Sequence, residues 1–301
     1  MVLRMYPAPR IVSVGTRDLA VEDAGPEAGF PVFVHNGAGS RHLFPPTVAE
    51  GRDLGFRLIG YDRPGCGGST ATPGRVIADC AVDVQAIMSE LGIAKIAVWG
   101  SSGGGPYALA TAAKLPEAVT AVCVFASIGP YGMPGLDFTD GLGGDDFREE
   151  IRRMLEEPRR AREDFRAQSA VSLSQQGSPD WWLEKWGDRA GQDRAHSREW
   201  ADYLAACHRD VLRADDSETF DDDGSWEDSL AFYKPWGFDL AAIQAPVSLW
   251  HGMRDFLPVA HARWLADRIP NVTTHFPADE DHTTIEENDR AAAFAWLTAH
   301  R

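Results

Sequence analysis

Three side chains that together can perform acyl transfer stand far apart in this sequence: Ser102, Asp255 and His282. Gly100-Ser101-Ser102-Gly103-Gly104 fits the pattern G-x-S-x-G. A serine hydroxyl attacks a carbonyl well only when a base takes its proton, and it must project from a sharp turn between strand and helix. Glycines two residues to either side keep that turn free of Cβ clashes. Ser101 is the rival hydroxyl, but centring the pattern on it would require glycine where Trp99 stands, so Ser102 is the expected nucleophile. Asp255 ends the run Trp250-His251-Gly252-Met253-Arg254-Asp255, and His282 follows Asp281. Histidine titrates close enough to neutrality to serve as the base, and a carboxylate orients it and stabilises the imidazolium.

Two further loops bear on that chemistry. His35-Asn36-Gly37-Ala38-Gly39 follows a short apolar run. A backbone N–H there, with Gly37 as the choice, can join the Gly103 N–H in an oxyanion hole; a plain turn is the other reading. In Tyr61-Asp62-Arg63-Pro64-Gly65-Cys66-Gly67-Gly68-Ser69 the charged pair sits beside a proline and three glycines. Asp62 and Arg63 are therefore expected to anchor a loop through turn hydrogen bonds and an ion pair. His251 is the rival base, expected to be packed. Residues 125–130 hold no carboxylate, which favours Asp255 as the acid.

The elements that must position these groups read as alternating strands and helices. Residues 11–14 and 19–24 form an expected antiparallel pair, and 31–35 and 56–61 are short buried strands. Ile77, Ala81, Val84, Ile87, Met88 and Leu91 recur at helical spacing. Residues 95–99 run as a strand into the glycine turn, 102–115 as a helix with Pro106 in its first turn, and 119–126 as another strand. The alternation resumes at 247–252, with a helix near 260–268, a strand over 271–276 and a closing helix over 290–299. Apolar strands alternating with helices imply an α/β fold with a mainly parallel central sheet covered on both faces. Ligand and catalytic groups gather at the C-terminal edge of such a sheet, where Ser102, Asp255 and His282 fall in the order Ser…Asp…His.

Between about 129 and 236 the strand pattern stops. Phe147, Ile151, Met154 and Leu155 mark one amphipathic helix up to Pro158. Trp200, Tyr203, Leu204, Cys207 and Val211 mark a second. Trp181, Trp182, Trp186, Trp200, Trp226 and Trp236 are six of the ten tryptophans. They either hold a helical subdomain together or wall an apolar substrate pocket. The expected organisation is a core of residues 1–128 and 237–301 with a helical cap over 129–236.

Composition limits the remaining classes. A formal net charge of −16 disfavours nucleic acid and anionic lipid as partners. No apolar run approaches the roughly 20 residues a membrane helix needs, and residues 1–10 lack the apolar core of a secretory leader. The expected compartment is the cytoplasm. Cys66, Cys80, Cys123 and Cys207 show no paired spacing and are expected as buried thiols. Asp221-Asp222-Asp223-Gly224 superficially fits a calcium loop. With Gly224 in sixth place, however, Thr219 and Leu230 would occupy positions that need carboxylates. Neither a metal nor a cofactor is expected.

HNGAG, YDRPGCGGS, GSSGG, WHGMRD and the Asp281-His282 pair together resemble the α/β-hydrolase fold superfamily in its capped, serine-nucleophile branch. The resemblance spans residues 35 to 282 and skips only the cap. It implies Ser102 as nucleophile, Asp255 as acid and His282 as base, with Gly37 and Gly103 as oxyanion donors. This chain departs from that pattern at Asn36 and at Asp281, where glycine is usual. The expected activity is cleavage of a carboxylic ester or lactone through an acyl-enzyme, on a small molecule with an apolar acyl or ring portion. C–C bond hydrolysis, acyl transfer, amide hydrolysis and perhydrolysis on the same scaffold stay open, as does a small-molecule receptor. The acidic run Asp279, Glu280, Asp281 is expected to favour protonated His282.

Overall fold

A computed structural model describes residues 6–186, 194–213 and 220–301. Its strands are β1 Arg10–Val14, β2 Arg17–Ala24, β3 Phe30–His35, β4 Phe56–Tyr61, β5 Ile96–Ser101, β6 Val119–Phe125, β7 Val247–Trp250 and β8 Val272–His275. They form one eight-stranded sheet in the order β1-β2-β4-β3-β5-β6-β7-β8. β1 pairs with β2, and β2 with β4, antiparallel. From β4 through β3, β5, β6 and β7 to β8 every pairing is parallel. All residues of β4 and β7 are buried, as continuous apolar strands in a sheet covered on both sides must be.

The described α-helices are α1 Pro45–Asp53, α2 Cys80–Glu90, α3 Gly105–Lys114, α4 Gly144–Glu156, α5 Pro158–Gln176, α6 Pro179–Trp186, α7 Arg194–Val211, α8 Asp223–Tyr233, α9 Ala260–Ala266 and α10 Thr284–Ala299. Alternation along β5 divides the core: Val98 joins Ile87, Leu109 and Leu265 of α2, α3 and α9 on one face, while Trp99 joins Phe294 and Leu297 of α10 on the other. Phe294 packs against both Phe56 and Trp99, with ring centroids 5.2 and 5.4 Å away. Between β6 and β7 the described residues form helices α4 to α8 and no strand of the sheet. Met154, Ala161, Trp226 and Leu230 give that stretch a small apolar core of its own.

Two helices differ from what the sequence pattern predicts. The sequence pattern assigns no element to residues 45–53, yet they form α1, with Pro45 and Pro46 in its first turn, where a missing N–H costs nothing. α10 begins six residues before the periodic segment 290–299. Asp281 Oδ1 accepts from the N–H groups of Thr283 and Thr284, each at 3.0 Å, so a side chain outside the apolar period sets the start.

Candidate active site

The site begins at the end of β5. Ser102 takes φ +51°, a left-handed conformation costly for a residue with a Cβ and held only where the surroundings impose it. A tight 3-10 turn over Ser102–Gly104 leads into α3. A Cβ at Gly104 would overlap the His35 carbonyl oxygen, and one at Gly100 would come 2.6 Å from Ala108 Cβ. Glycine at both places lets β3 and α3 close on the turn, and the Ser102 hydroxyl projects from it.

His282 Nε2 lies 3.0 Å from Ser102 Oγ. Its Nδ1 lies 2.9 and 3.0 Å from the two carboxyl oxygens of Asp255. An ionised carboxylate only accepts, so Nδ1 carries the ring proton and Nε2 turns its lone pair to the hydroxyl. The Asp255 side chain is fully buried, and its Oδ1 also accepts from the Leu257 N–H at 2.8 Å. The loops after β7 and β8 hold the pair together: His251 N donates to His275 O at 2.9 Å, Met253 N to Pro277 O at 3.0 Å and Arg254 N to Glu280 O at 2.9 Å. His251 is packed, with Nε2 donating to Leu257 O at 2.8 Å, and burial pushes its imidazole below the usual histidine range.

The loop after β3 abuts the serine turn. A Cβ built on Gly37 would come 3.0 Å from Ser102 Cβ, and one on Gly103 would come 2.7 Å from Gly37 O. Arg63, buried, bonds the carbonyls of Asn36 and Gly37 at 2.7 and 3.0 Å and Asp228 of α8 at 2.6 Å. Asp62 accepts from the N–H groups of Arg41 and Gly68 at 2.6 and 2.9 Å and pairs with the Arg41 guanidinium at 2.8 Å. Both charged residues of the β4 loop thus anchor structure. Asn36 Oδ1 accepts from the Ala38 N–H at 2.8 Å, folding the loop back on itself.

The acidic run before His282 is engaged elsewhere. Asp279 pairs with Arg254 at 2.7 Å, Glu280 accepts from Asn288 at 3.0 Å, and Asp281 caps α10. The carboxylate bonded to His282 is that of Asp255.

Ser102, His282 and Gly37 border a cavity of about 400 Å³. Trp181 and Trp182 of α6, Trp200 and Tyr203 of α7, and Phe44, Phe125 and Phe256 supply apolar wall. Trp226 and Trp236 instead pack in the two cores, so the tryptophans divide between both readings. The Trp186 side chain and residues 214–219, just before the Asp221-Asp222-Asp223 run, lie outside the described part. Glu286 lines the same cavity. No motif marks it, and it precedes the apolar period that identifies the closing helix.

Asp221, Asp222 and Asp223 place carboxylate oxygens within 4.8 Å of one another. Arg162 bridges Asp222 and Asp223, Arg166 reaches Asp222 and Arg213 reaches Asp221, so guanidinium groups already balance that charge. The four cysteines are buried and unpaired with one another. No described helix is long and apolar enough to cross a membrane.

Residues 32–289 match the family model for the alpha/beta hydrolase fold. Among solved structures, a thermophilic esterase from Thermogutta terrifontis superposes with a TM-score of 0.65 at 21% identity, covering 98% of this chain and 100% of that one. The enol-lactonase from Burkholderia xenovorans gives 0.64 at 20% identity, covering 96% and 98%. Among curated sequences, a zearalenone hydrolase from Cladophialophora bantiana is 29% identical over 103 residues, which span 33% of this chain and 38% of that protein. The chain thus matches well under half the length of that relative.

Proposed function

This chain belongs to the alpha/beta hydrolase fold family, and from that premise we propose that it is a serine hydrolase of carboxylic esters or lactones. Ser102 is the nucleophile, His282 the base and Asp255 the acid. The observation that carries this reading is the relay from Asp255 through Nδ1 and Nε2 of His282 to Ser102 Oγ, with no link longer than 3.0 Å.

In the first step the Ser102 oxygen bonds to the substrate carbonyl carbon while its proton passes to His282 Nε2. The imidazolium is held by Asp255, which stays ionised. Negative charge gathers on the carbonyl oxygen, and the N–H groups of Gly37 and Gly103 receive it. Collapse breaks the bond to the alcohol oxygen, which takes the proton from His282. Water, deprotonated by His282, then attacks the acyl carbon and releases Ser102. Each proton taken is returned, so these residues complete the cycle alone.

Residues 129–236 act in this reading as a cap. The support is that α6 and α7 line the cavity beside Ser102 while the stretch keeps its own apolar cluster. The apolar walls favour substrates with a hydrophobic acyl or ring portion. A lone passive receptor would need no aligned base beside its serine.

A serine-directed phosphonate tests the assignment. It is expected to add one adduct, on the peptide carrying Ser102, and Ser102→Ala is expected to abolish labelling and lower kcat by several orders of magnitude. Labelling of Ser101, or none alongside ester turnover, overturns it. Chromogenic esters, lactones and amides in parallel separate ester cleavage from the other reactions this scaffold supports.

A further inference from the structure

Glu286 brings the one carboxyl group to a cavity whose described lining includes neither lysine nor arginine. Its Oε1 accepts from the Trp99 indole N–H at 3.0 Å and its Oε2 from the Ser101 hydroxyl at 2.6 Å. Both donors flank the serine turn, so the carboxyl is fixed one residue away from Ser102. A carboxylate offers about four lone-pair positions; two are used. Arg290, one helical turn further on, gives its Nε to Glu50 at 2.7 Å.

We propose that Glu286 makes this cavity selective for substrates bearing a hydrogen-bond donor, a hydroxyl or an ammonium, on the portion seated against Ser101. The inference deepens the serine-hydrolase reading of the same site. Its physical basis is the cost of leaving acceptor capacity in an apolar, aromatic enclosure. A buried polar group without its full set of partners is destabilised, and a ligand that supplies the missing donor recovers that loss. Burial accordingly pushes the Glu286 carboxyl above its ordinary range, against the opposing help of Ser101 and Trp99. A role limited to fixing Trp99 and Ser101 would use only the two hydrogen bonds already made. Placement in the first turn of α10 also suits a carboxylate, but that uses none of its remaining lone pairs. A substrate carboxylate in the same place would meet like charge, and the described lining offers it neither lysine nor arginine.

The test uses the Ser102→Ala protein, which cannot turn substrate over, and reads binding from quenching of the cavity tryptophans. The ligands are 3-phenylpropanamide and its ring-hydroxyl, ring-aminomethyl and ring-carboxyl derivatives, with 3- and 4-substituted isomers of each. The hydroxyl or the ammonium ligand is expected to bind about 10- to 100-fold more tightly than the parent, and the carboxyl ligand most weakly. Adding Glu286→Leu should erase the preference. Glu286→Gln, which keeps both native hydrogen bonds possible, should retain preference for hydroxyl and lose it for ammonium. The same ligand order in Glu286→Leu, or equal binding of parent and donor ligands, overturns the proposal. Phosphonate labelling and ester turnover of the unmutated protein report separately on the catalytic reading. Donor preference without turnover sinks only the latter, and turnover without donor preference sinks only the former.

Discussion

Asn36 Nδ2 lies 2.6 Å from Tyr203 Oη, tying the loop that carries Gly37 to helix α7. Arg63 makes a second tie from the same loop to Asp228 of α8. The backbone N–H proposed to receive the oxyanion is therefore held by groups from the stretch that also walls the cavity. Glycine at position 36 would offer neither the bond to Tyr203 nor the bond to the Ala38 N–H.

Tyr203→Phe removes one partner from that brace and leaves the ring. A neutral hydrogen bond is worth about 1 kcal/mol, so kcat on a short ester is expected to fall about fivefold with KM little changed. Steady-state kinetics on the variant check this. A rise in KM at constant kcat would instead limit Tyr203 to its place in the cavity wall, with no bearing on Gly37.

Asp255→Asn keeps the size of the side chain but lets an amide N–H face His282 Nδ1. The ring would then adopt the other tautomer and point a proton at Ser102, and in serine triads this costs about 10⁴-fold in kcat. The thermal midpoint should shift far less than the rate, because the Leu257 N–H keeps an acceptor. A loss below about tenfold would remove Asp255 from the proposed relay.

Trp200 stacks on Tyr203 with centroids 5.2 Å apart and meets Phe44 edge-on at 4.2 Å. Trp200→Ala removes part of the aromatic wall of the cavity. An indole packed against a substrate ring is worth about 2 kcal/mol, so KM for arylpropanoate esters should rise roughly 30-fold while acetate esters change little. Equal effects on both esters would show that the ring supports α7 and does not touch substrate.

Much of the frame is legible in the sequence because it rests on local pattern. Each strand from β3 to β7 appears as a largely apolar run, and the G-x-S-x-G glycines mark a strand-to-helix turn without room for Cβ. Asp62 and Arg63 are legible as anchors for the same reason: proline and glycine neighbours fix a loop whatever surrounds it. The bonds of Asn36 and Glu286 are not legible, since their partners lie 167 and 185 residues away and no periodicity encodes such a meeting. α1 is hidden by its two prolines, which break a helix interior but not its first turn. The acidic run at 279–281 reads as an electrostatic field on His282. Folding turns each of those carboxylates to a nearer donor.

Asp281 carries the sharpest consequence of that last difference. If its role were to place negative charge near His282, Asp281→Asn and Asp281→Ala would shift the activity profile alike. The hydrogen bonds to Thr283 and Thr284 assign it to the start of α10 instead. Asparagine caps a helix about as well as aspartate, whereas alanine costs about 1 kcal/mol. Asp281→Asn should therefore leave the thermal midpoint at pH 7 near its original value, and Asp281→Ala should lower it by a few degrees. The pH dependence has a definite sign. Burial pushes the Asp281 carboxyl up, but the N–H groups of Thr284 and Thr283 outweigh it and hold the carboxyl below its ordinary range. A depressed carboxyl stabilises the fold above its unfolded pKa, near 3.9, and loses that contribution as pH falls through the folded value. Thermal midpoints between pH 7 and pH 2.5 should then drop more steeply for the unmutated protein than for Asp281→Asn, which does not titrate there. Parallel curves, or an Asp281→Asn midpoint at pH 7 as low as that of Asp281→Ala, would remove Asp281 from its role at the start of α10.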